Sequence, residues 1–294
     1  MINNRFGFIG AGKVGFSFGK YLCLNGVNVS GYYSKNPISS LEASNFTKTN
    51  QYLNLNDLVE NSDAICITTP DKEILNVWDN LKQLSIKNKL ICHCSGALSS
   101  EIFSDISKFG AYSYSIHPMF ALSDKYNSYK KFNEAFITIE GDEKYINKLE
   151  EIFKTLGNSY KVINKENKSL YHLASVMSSN LVLGLINCGL NYLKLSGFDD
   201  NEAMEALYPL IKNNMENIRV NGCKASLTGP LERGDLNTIK SHIDAMPAED
   251  VKLYKVCNEN LLKLAKEKNE DRNYSLIEDF LKGRGENEKY GSNI

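Results

Sequence analysis

The sequence predicts an α/β fold with a parallel sheet, followed by an all-helical domain. From residue 5 to about 163, short apolar runs alternate with helical stretches. After residue 165 the strand pattern stops, and apolar residues recur with the period of a helix. We therefore expect one domain over residues 1–164, a second over residues 165–285, and a polar tail over residues 286–294 that frays.

Each predicted element follows from these two patterns. Strands are predicted at 5–9, 27–33, 63–69, 88–94, 112–117, 135–140 and 158–163. In the second region, helices are predicted at 166–196, 200–218, 223–232, 236–243, 248–268 and 273–282.

Composition and charge exclude several classes of partner. The 34 basic and 35 acidic residues give a formal charge of −1, which offers no broad footprint for nucleic acid or an anionic membrane. No run approaches about 18 consecutive apolar residues, so no membrane span is expected. The N-terminus lacks a signal-peptide pattern, and the seven cysteines, without a CxxC pair, are typical of reduced thiols. We therefore expect a cytoplasmic protein that binds a small molecule, with no nucleic acid and no membrane.

The stretch from Cys92 to Cys94, with His93 between them, resembles a metal motif only at first sight. Successive side chains on a strand point to opposite faces, so the two cysteines and the histidine diverge. No metal site is expected there.

A glycine-rich turn stands between the first predicted strand and the helix after it. In that setting the glycines allow a tight turn, close approach of the backbone to a pyrophosphate, and close packing of helix on strand. Free N–H groups at the helix start attract the negative charge. The alternative is a strand–helix turn that holds no ligand. The turn predicts a Rossmann dinucleotide-binding domain with cofactor contacts from Gly10, Ala11, Gly12, Lys13, Val14 and Gly15.

The end of the second predicted strand bears on the choice of nucleotide. An NAD site of this type usually has a carboxylate there to bond the ribose 2′-hydroxyl. Here Ser34 and Lys35 occupy the place, and the next acid is Glu42. Both can donate hydrogen bonds to a 2′-phosphate, which favours NADP over NAD and disfavours a methyltransferase. The alternative is that Lys35 is a solvated surface lysine.

A second turn follows the predicted strand at 63–69. Thr69 and Pro70 lie at the carboxyl edge of the sheet, where ligands bind in such folds, and are candidate cofactor contacts. Asp71 lies near the start of the next helix, where a negative charge suits the helix dipole. A capped helix start explains the same residues, and the two interpretations are compatible.

The helix that begins the second predicted domain carries a polar stripe. At about 100° per residue, His172, Ser175, Ser179 and Asn180 fall on one side of an otherwise apolar helix. A buried polar group without a partner costs about 1 to 3 kcal/mol, so the stripe is expected to face a ligand. The alternative is a core histidine with serines that bond back along their own helix.

Six ordered fragments resemble one family: the glycine turn, "TTPD", "HCSGALS", "SIHPMF", "YHLASVMSSN" and "LTGPLERGD". They are similar to Rossmann-like proteins with a C-terminal domain of unknown function, DUF2520. These are distantly similar to ketopantoate reductase, pyrroline-5-carboxylate reductase, and the hydroxyisobutyrate and 6-phosphogluconate dehydrogenases. The resemblance covers about residues 5 to 270. It implies an N-terminal nucleotide domain, an all-helical C-terminal domain, a cleft between them and a homodimer.

The resemblance also implies how the reactive end is built. In the hydroxyacid dehydrogenases the first helix of the second domain carries a lysine with an asparagine one turn later. Here Lys168 is followed one turn on by His172, and Asn180 comes two turns further. A histidine can donate a proton near neutral pH, so His172 is the predicted proton donor, with Asn180 orienting the substrate.

The remaining candidate contacts surround that helix. Ser175 and Ser179 are predicted to hydrogen-bond the substrate. Ser95 and Gly96 resemble the Ser-Gly turn near the nicotinamide in hydroxyisobutyrate dehydrogenase relatives, and His117 is the rival proton donor or a structural histidine. Arg233 lies in a broken turn, where its guanidinium could grip a carboxylate, although a surface arginine is the alternative.

Together these features predict an NADP-dependent oxidoreductase that transfers a hydride between NADPH and a small carbonyl, hydroxyl or imine compound. The alternative is a non-catalytic NADP-binding sensor that has kept the nucleotide site and lost the chemistry. A sensor has no need of the stripe around His172.

Overall fold

The computed structural model describes residues 5–284, which divide by their contacts into two units after Leu181. The strands are β1 Phe6–Ile9, β2 Val29–Tyr33, β3 Asn50–Tyr52, β4 Ala64–Ile67, β5 Leu90–His93, β6 Tyr112–Met119, β7 Phe136–Gly141 and β8 Tyr160–Val162. The α-helices are α1 Lys13–Leu24, α2 Pro37–Thr47, α3 Leu55–Glu60, α4 Asp71–Leu81, α5 Ile146–Leu156, α6 Lys168–Ser178, α7 Asn180–Leu195, α8 Asp200–Ser226, α9 Pro230–Arg233, α10 Leu236–Ala245, α11 Val251–Lys268 and α12 Ser275–Leu281. The predicted domain boundary at 164 marks the end of the strand pattern, whereas the contacts group α6 with the first unit. The predicted frayed tail over 286–294 lies outside the described residues.

The first unit is built on one eight-stranded sheet in the order β3-β2-β1-β4-β5-β6-β7-β8. All neighbouring strands are parallel except β6 and β7, which are antiparallel. The seven predicted strands are present. The three-residue edge strand β3 was not predicted, because the polar sequence Asn50-Gln51-Tyr52 has no apolar run to mark it.

The two faces of the sheet are buried against separate apolar clusters. Phe8 and Cys66 belong to one cluster, and Ile65 and Ile67 belong to the other, as the alternation of side chains on a strand requires. Trp78 of α4 is fully buried in the second cluster and donates from its indole nitrogen to the Ser104 carbonyl oxygen, at 3.2 Å. A sheet buried on both faces leaves its edge loops as the place where ligands can bind.

The carboxyl ends of the central strands are tied together where they enter these loops. The Gly10 amide donates to the Tyr33 carbonyl oxygen at 2.8 Å, and the Thr68 amide donates to that of Ile9 at 2.8 Å. The Cys94 amide reaches the Ile67 carbonyl oxygen at 3.3 Å. These bonds hold the glycine turn and the two following strand ends at one edge of the sheet.

The helical part differs from the prediction in where its helices break. The predicted helix 166–196 is two helices, because Ser179 has non-helical φ and ψ of −127° and −73°. The predicted break near 218–223 is a kink within α8, where Gly222 has φ of +76°. Asp235 caps α10 by accepting from the Thr238 amide at 3.0 Å.

One helical stretch, 165–195, is long and apolar enough to cross a membrane, with a mean hydropathy of 1.5. The sequence analysis did not single it out, because polar residues interrupt its apolar runs. A single such stretch is weak evidence for a membrane span, since the core helix of a soluble protein meets the same criterion.

Candidate active site

The fold requires glycine at some positions of the glycine turn but not at Gly12. Gly10 has φ of +101°, which L residues rarely adopt, and a methyl group at Gly15 would lie 2.3 Å from Thr68 Oγ1 and 2.7 Å from the Gly10 carbonyl oxygen. At Gly12, by contrast, an added methyl group would meet no atom within 4 Å. The bare backbone at Gly12 therefore serves no packing within the described chain, and it fits close approach by a pyrophosphate.

A cavity of about 750 Å³ lies over this turn. Its volume suits a small-molecule site. The helix α1 begins at Lys13 without a side-chain cap and without an acid in its first turn, so its first N–H groups are available to an anion. The predicted cofactor contacts that line the cavity are Gly10, Ala11, Gly12, Ser34, Lys35, Thr69 and Pro70; Lys13, Val14 and Gly15 belong to α1 and do not line it.

Where the cavity meets the end of β2, it holds a charge pair that the sequence analysis did not anticipate. Lys35 Nζ donates to Glu73 Oε2 at 2.9 Å, and both residues line the cavity. The Lys35 side chain is 68% exposed, so it is a solvated surface lysine as well as a cavity residue. The hydrogen bond from Lys35 lowers the pKa of Glu73. Glu73 was missed because it lies in α4, 38 residues beyond Lys35.

Thr69 supplies a further polar group in this cavity. Among residues 5–284, four buried side-chain polar atoms lack a hydrogen-bond partner, and Thr69 Oγ1 is one of them. Such an atom costs about 1 to 3 kcal/mol unless it is satisfied. Its place on the cavity wall fits a hydroxyl that bonds a ligand.

A hydrogen bond links the start of α4, next to the cavity, to the turn that contains Ser95. Ser95 Oγ donates to Asp71 Oδ2 at 2.7 Å and accepts from the amides of Ala97 and Leu98, each at 3.1 Å. Asp71 follows Pro70, the last cavity residue before α4. The predicted residue Ser95 therefore holds the shape of the turn at Gly96, and its hydroxyl is already fully engaged.

Side chains from two elements, β6 and α6, lie against Gly96. A methyl group there would lie 2.9 Å from His117 Nε2 and 2.9 Å from His172 Nδ1. We call His93, His117, Lys168 and His172 around Gly96 the histidine cluster. Among the described residues, His172 Nδ1 is buried without a hydrogen-bond partner. The structure thus brings together the two histidines that the sequence analysis offered as rivals.

Burial sets the charge of two of these histidines. It lowers the pKa of His117 to about 4, with the positive charge of Lys168 as a smaller cause. Burial likewise lowers the pKa of His93 to about 4, and His93 Nε2 lies 3.1 Å from the Ser99 carbonyl oxygen. His117 Nδ1 lies 2.7 Å from the Tyr171 hydroxyl. Both imidazoles are therefore neutral near pH 7.

Lys168 is a member of the cluster that the sequence analysis did not select. It is only 2% exposed, and its Nζ donates to Ser115 Oγ at 2.7 Å. Burial lowers its pKa to about 8, while the negative charge of Glu140 acts in the opposite direction. Its spacing of four residues from His172, which places both on one helix face, is the sequence signal that could have identified it.

Glu140 is a second buried charge near Lys168. It is 3% exposed and accepts from the Ser100 amide at 2.8 Å and from Ser100 Oγ at 2.7 Å. No motif marks it, because its burial results from the antiparallel pairing of β7 with β6.

The rest of the predicted polar stripe lies apart from the cluster. Ser175 Oγ donates to the Tyr171 carbonyl oxygen at 3.3 Å, and Ser179 Oγ donates to that of Ser175 at 2.6 Å, which is the bonding back along the helix considered above. Ser179 and Asn180 are exposed, and Asn180 Oδ1 accepts from Ser179 Oγ. Arg233 is exposed at the end of α9 in the second unit.

Three solved structures share this fold. Protein TM1727 from Thermotoga maritima is 25% identical with a TM-score of 0.72, over 90% of this chain and 99% of that chain. Protein BF3122 from Bacteroides fragilis, whose name gives NADP oxidoreductase as a provisional assignment, is 19% identical with a TM-score of 0.72, over 88% and 98%. The V8 variant of an imine reductase from Myxococcus stipitatus, in complex with NAD+, is 17% identical with a TM-score of 0.59, over 96% and 95%.

Family models identify both parts of the chain. No curated protein matches the sequence. Residues 3–118 match the Rossmann-like domain, and residues 135–261 match a domain of unknown function, DUF2520. The predicted order of these domains is confirmed: the chain carries a Rossmann-like domain followed by a DUF2520 domain.

Proposed function

We propose that this protein is an NADP-dependent reductase or dehydrogenase of a small carbonyl, hydroxyl or imine compound. The observation that carries the proposal is the arrangement at one sheet edge. Pro70 lines the glycine-turn cavity, and the next residue, Asp71, accepts a hydrogen bond from Ser95, which directly precedes Gly96 at the histidine cluster. The fold shared with an imine reductase supports the same class of reaction.

The cavity residues would hold the nucleotide. Gly12 and the first N–H groups of α1 would receive the pyrophosphate, and Thr69 Oγ1 would provide a hydrogen bond. Ser34 and Lys35 favour a 2′-phosphate and therefore NADP. When bound, the cofactor supplies the hydride.

The histidine cluster would bind and protonate the substrate. His117 is neutral at pH 7, and when the Tyr171 hydroxyl donates the hydrogen bond to Nδ1, the imidazole proton lies on Nε2 beside Gly96. There it can donate a hydrogen bond to a carbonyl oxygen or an imine nitrogen, but it holds no second proton to transfer. The transferred proton would come from His172 or from Lys168, one turn apart on α6.

The pH dependence of reduction separates those two donors. With a pKa of about 8, Lys168 holds its proton below pH 8 and loses it above. If Lys168 is the acid, kcat for reduction falls as the pH rises through about 8, and Lys168→Met removes that step. If His172 is the acid, His172→Ala lowers kcat about 100-fold or more, while Lys168→Met retains most of the turnover.

The experiment that tests the function combines binding and turnover. NADPH is titrated by calorimetry into the unaltered chain and into Gly12→Ala, whose added methyl group would meet no atom of the fold but would block a pyrophosphate. Loss of NADPH binding with unchanged thermal unfolding supports the nucleotide site. Turnover is then screened on ketones and imines. Binding without turnover on any substrate points to a sensor, and no binding of NADPH or NADH contradicts the proposal.

We also propose that two copies of the chain form a homodimer through the second unit. There Leu183 of α7 is 66% exposed, and Leu210 and Val220 of α8 are 67% and 63% exposed. Large exposed apolar patches mark interaction surfaces. Sedimentation should give twice the chain mass of 33.0 kDa, and Leu210→Glu should halve it, whereas Leu53→Glu in the first unit should not. A monomer at micromolar concentration contradicts the dimer.

A further inference from the structure

The pair formed by Lys35 and Glu73 places opposite charges on one cavity wall. Lys35 enters from the loop after β2, and Glu73 comes from the first turn of α4. Their bond of 2.9 Å joins the two sides of the cavity where Ser34 also lies. Asn76 Nδ2 lies at 3.5 Å from the same carboxylate oxygen. Among the described residues, Lys35 is thus the only positively charged side chain that hydrogen-bonds to Glu73.

The two members of this pair act in opposite directions on the two nucleotides. A 2′-phosphate is attracted by the Lys35 ammonium and repelled by the Glu73 carboxylate. A ribose 2′-hydroxyl can donate a hydrogen bond to the Glu73 carboxylate and gains little from a lysine. To bind a 2′-phosphate, the Lys35 ammonium must break its hydrogen bond to Glu73 or interact with the carboxylate and the phosphate at the same time.

We propose that Glu73 is a specificity-determining residue that competes with the 2′-phosphate of NADP for Lys35. Glu73 thereby reduces the ratio of NADP affinity to NAD affinity that Ser34 and Lys35 create. NAD can therefore also bind. This inference rests on the proposed nucleotide site and adds a residue from a different element to it. The competition occurs at the ribose end of the cavity, which involves no residue of the histidine cluster.

The test compares the binding of four ligands to single variants. NADPH, NADH, 2′-phospho-AMP and AMP are titrated by calorimetry into the unaltered chain and into Glu73→Gln. Loss of the competing carboxylate should raise the NADPH to NADH affinity ratio about 3- to 10-fold, the range expected for one partly screened charge pair. The ratio for 2′-phospho-AMP to AMP should rise by a similar factor, because these fragments report on the ribose end alone.

A matched control is available on the same helix. Asp79 forms an exposed ion pair with Lys82 on α4 but does not line the cavity. Asp79→Asn removes the same charge and should leave both ratios unchanged. An equal effect of Asp79→Asn would show a general effect of net charge and would overturn the proposal.

A second variant tests whether Glu73 acts through Lys35. Lys35→Met should lower the ratio of NADPH affinity to NADH affinity about 10-fold. When Glu73→Gln is added to Lys35→Met, this ratio should rise by less than half of the factor that Glu73→Gln produces in the otherwise unaltered chain. An unchanged gain in that background, or no gain from Glu73→Gln alone, contradicts the competition. Both results require that the nucleotides bind. Failure of all four ligands to bind would instead contradict the proposed function.

Discussion

Two histidine–tyrosine pairs of nearly identical geometry lie in different regions of this protein. In the first unit, His117 Nδ1 is 2.7 Å from the Tyr171 hydroxyl, and the two rings cross at 83° with centroids 5.7 Å apart. In the second unit, His242 Nδ1 is 2.8 Å from the Tyr254 hydroxyl, with rings at 85° and 5.8 Å. Only the surroundings differ: the first pair is partly buried, and the second is exposed.

The difference shows that a hydrogen-bonded histidine is not a site by its geometry alone. His117 lies against Gly96 with its second nitrogen, where His172 converges and Lys168 adds a buried charge. His242 lies on a solvated helix face, where water can replace any partner. The burial of His117 and its closeness to His172 and Lys168, rather than its hydrogen bond to a tyrosine, make the first pair a candidate for catalysis.

The largest expected difference between the pairs is in acid stability. The pKa of His117 is lowered to about 4 in the folded chain. As the pH falls, the unfolded chain therefore binds a proton at this residue below about pH 6.5, whereas the folded chain binds it only near pH 4. The free energy of unfolding therefore falls as the pH falls through this window, by roughly 3 kcal/mol from this residue. Urea unfolding of His117→Gln at pH 7 and pH 4.5 should show a correspondingly smaller loss.

The matched control for that experiment is His242→Gln. This side chain is exposed, so its replacement removes no buried imidazole and reports only the effect of a histidine-to-glutamine change on acid stability. Equal effects of the two substitutions would contradict the distinction between the pairs.

The next effect concerns Gly96, which has no counterpart in the exposed pair. A methyl group there would lie 2.9 Å from both imidazoles, so Gly96→Ala should push them apart and destabilise the fold by about 1 to 3 kcal/mol. Turnover on any substrate found should fall about 10-fold or more. Gly184→Ala on α7, where an added methyl group meets no atom within 4 Å, serves as the control for the glycine-to-alanine change. An unaffected turnover in Gly96→Ala would argue against the cluster as a reactive site.

The smallest expected effect is the loss of each tyrosine hydroxyl. Tyr171→Phe leaves His117 Nδ1 without its bond in a partly buried setting and should cost about 1 kcal/mol. Tyr254→Phe should cost less than about 0.5 kcal/mol, since its pair is exposed. The nitrogen-15 chemical shifts of His117 should also report a change of tautomer in Tyr171→Phe. Equal costs in the two variants would remove burial as the distinguishing factor.

The two ends of the candidate site differ in how far the sequence could predict them. The glycine turn is local, so a strand, three glycines and a helix start predict its shape and three residues that line the cavity, Gly10, Ala11 and Gly12. Glu73 and Lys168 were missed because each acquires its role from a contact between distant segments: Glu73 with Lys35, and Lys168 with Ser115. The sequence predicted one continuous helix with a polar stripe. The helix instead breaks at Ser179, and Ser175 and Ser179 hydrogen-bond to backbone carbonyl oxygens of the preceding turn.

By itself the sequence determined the order of strands and helices, the turn at Gly10 to Gly15 and the two domain types, because these depend on side-chain period and on local backbone freedom. The tertiary structure alone decided which charged groups are buried and which meet. Strand order brought Gly96 and His117 beside the first turn of α6, and burial there lowered the pKa of Lys168 and His117. Desolvation depends on everything packed around a group, and no local stretch of sequence contains that information.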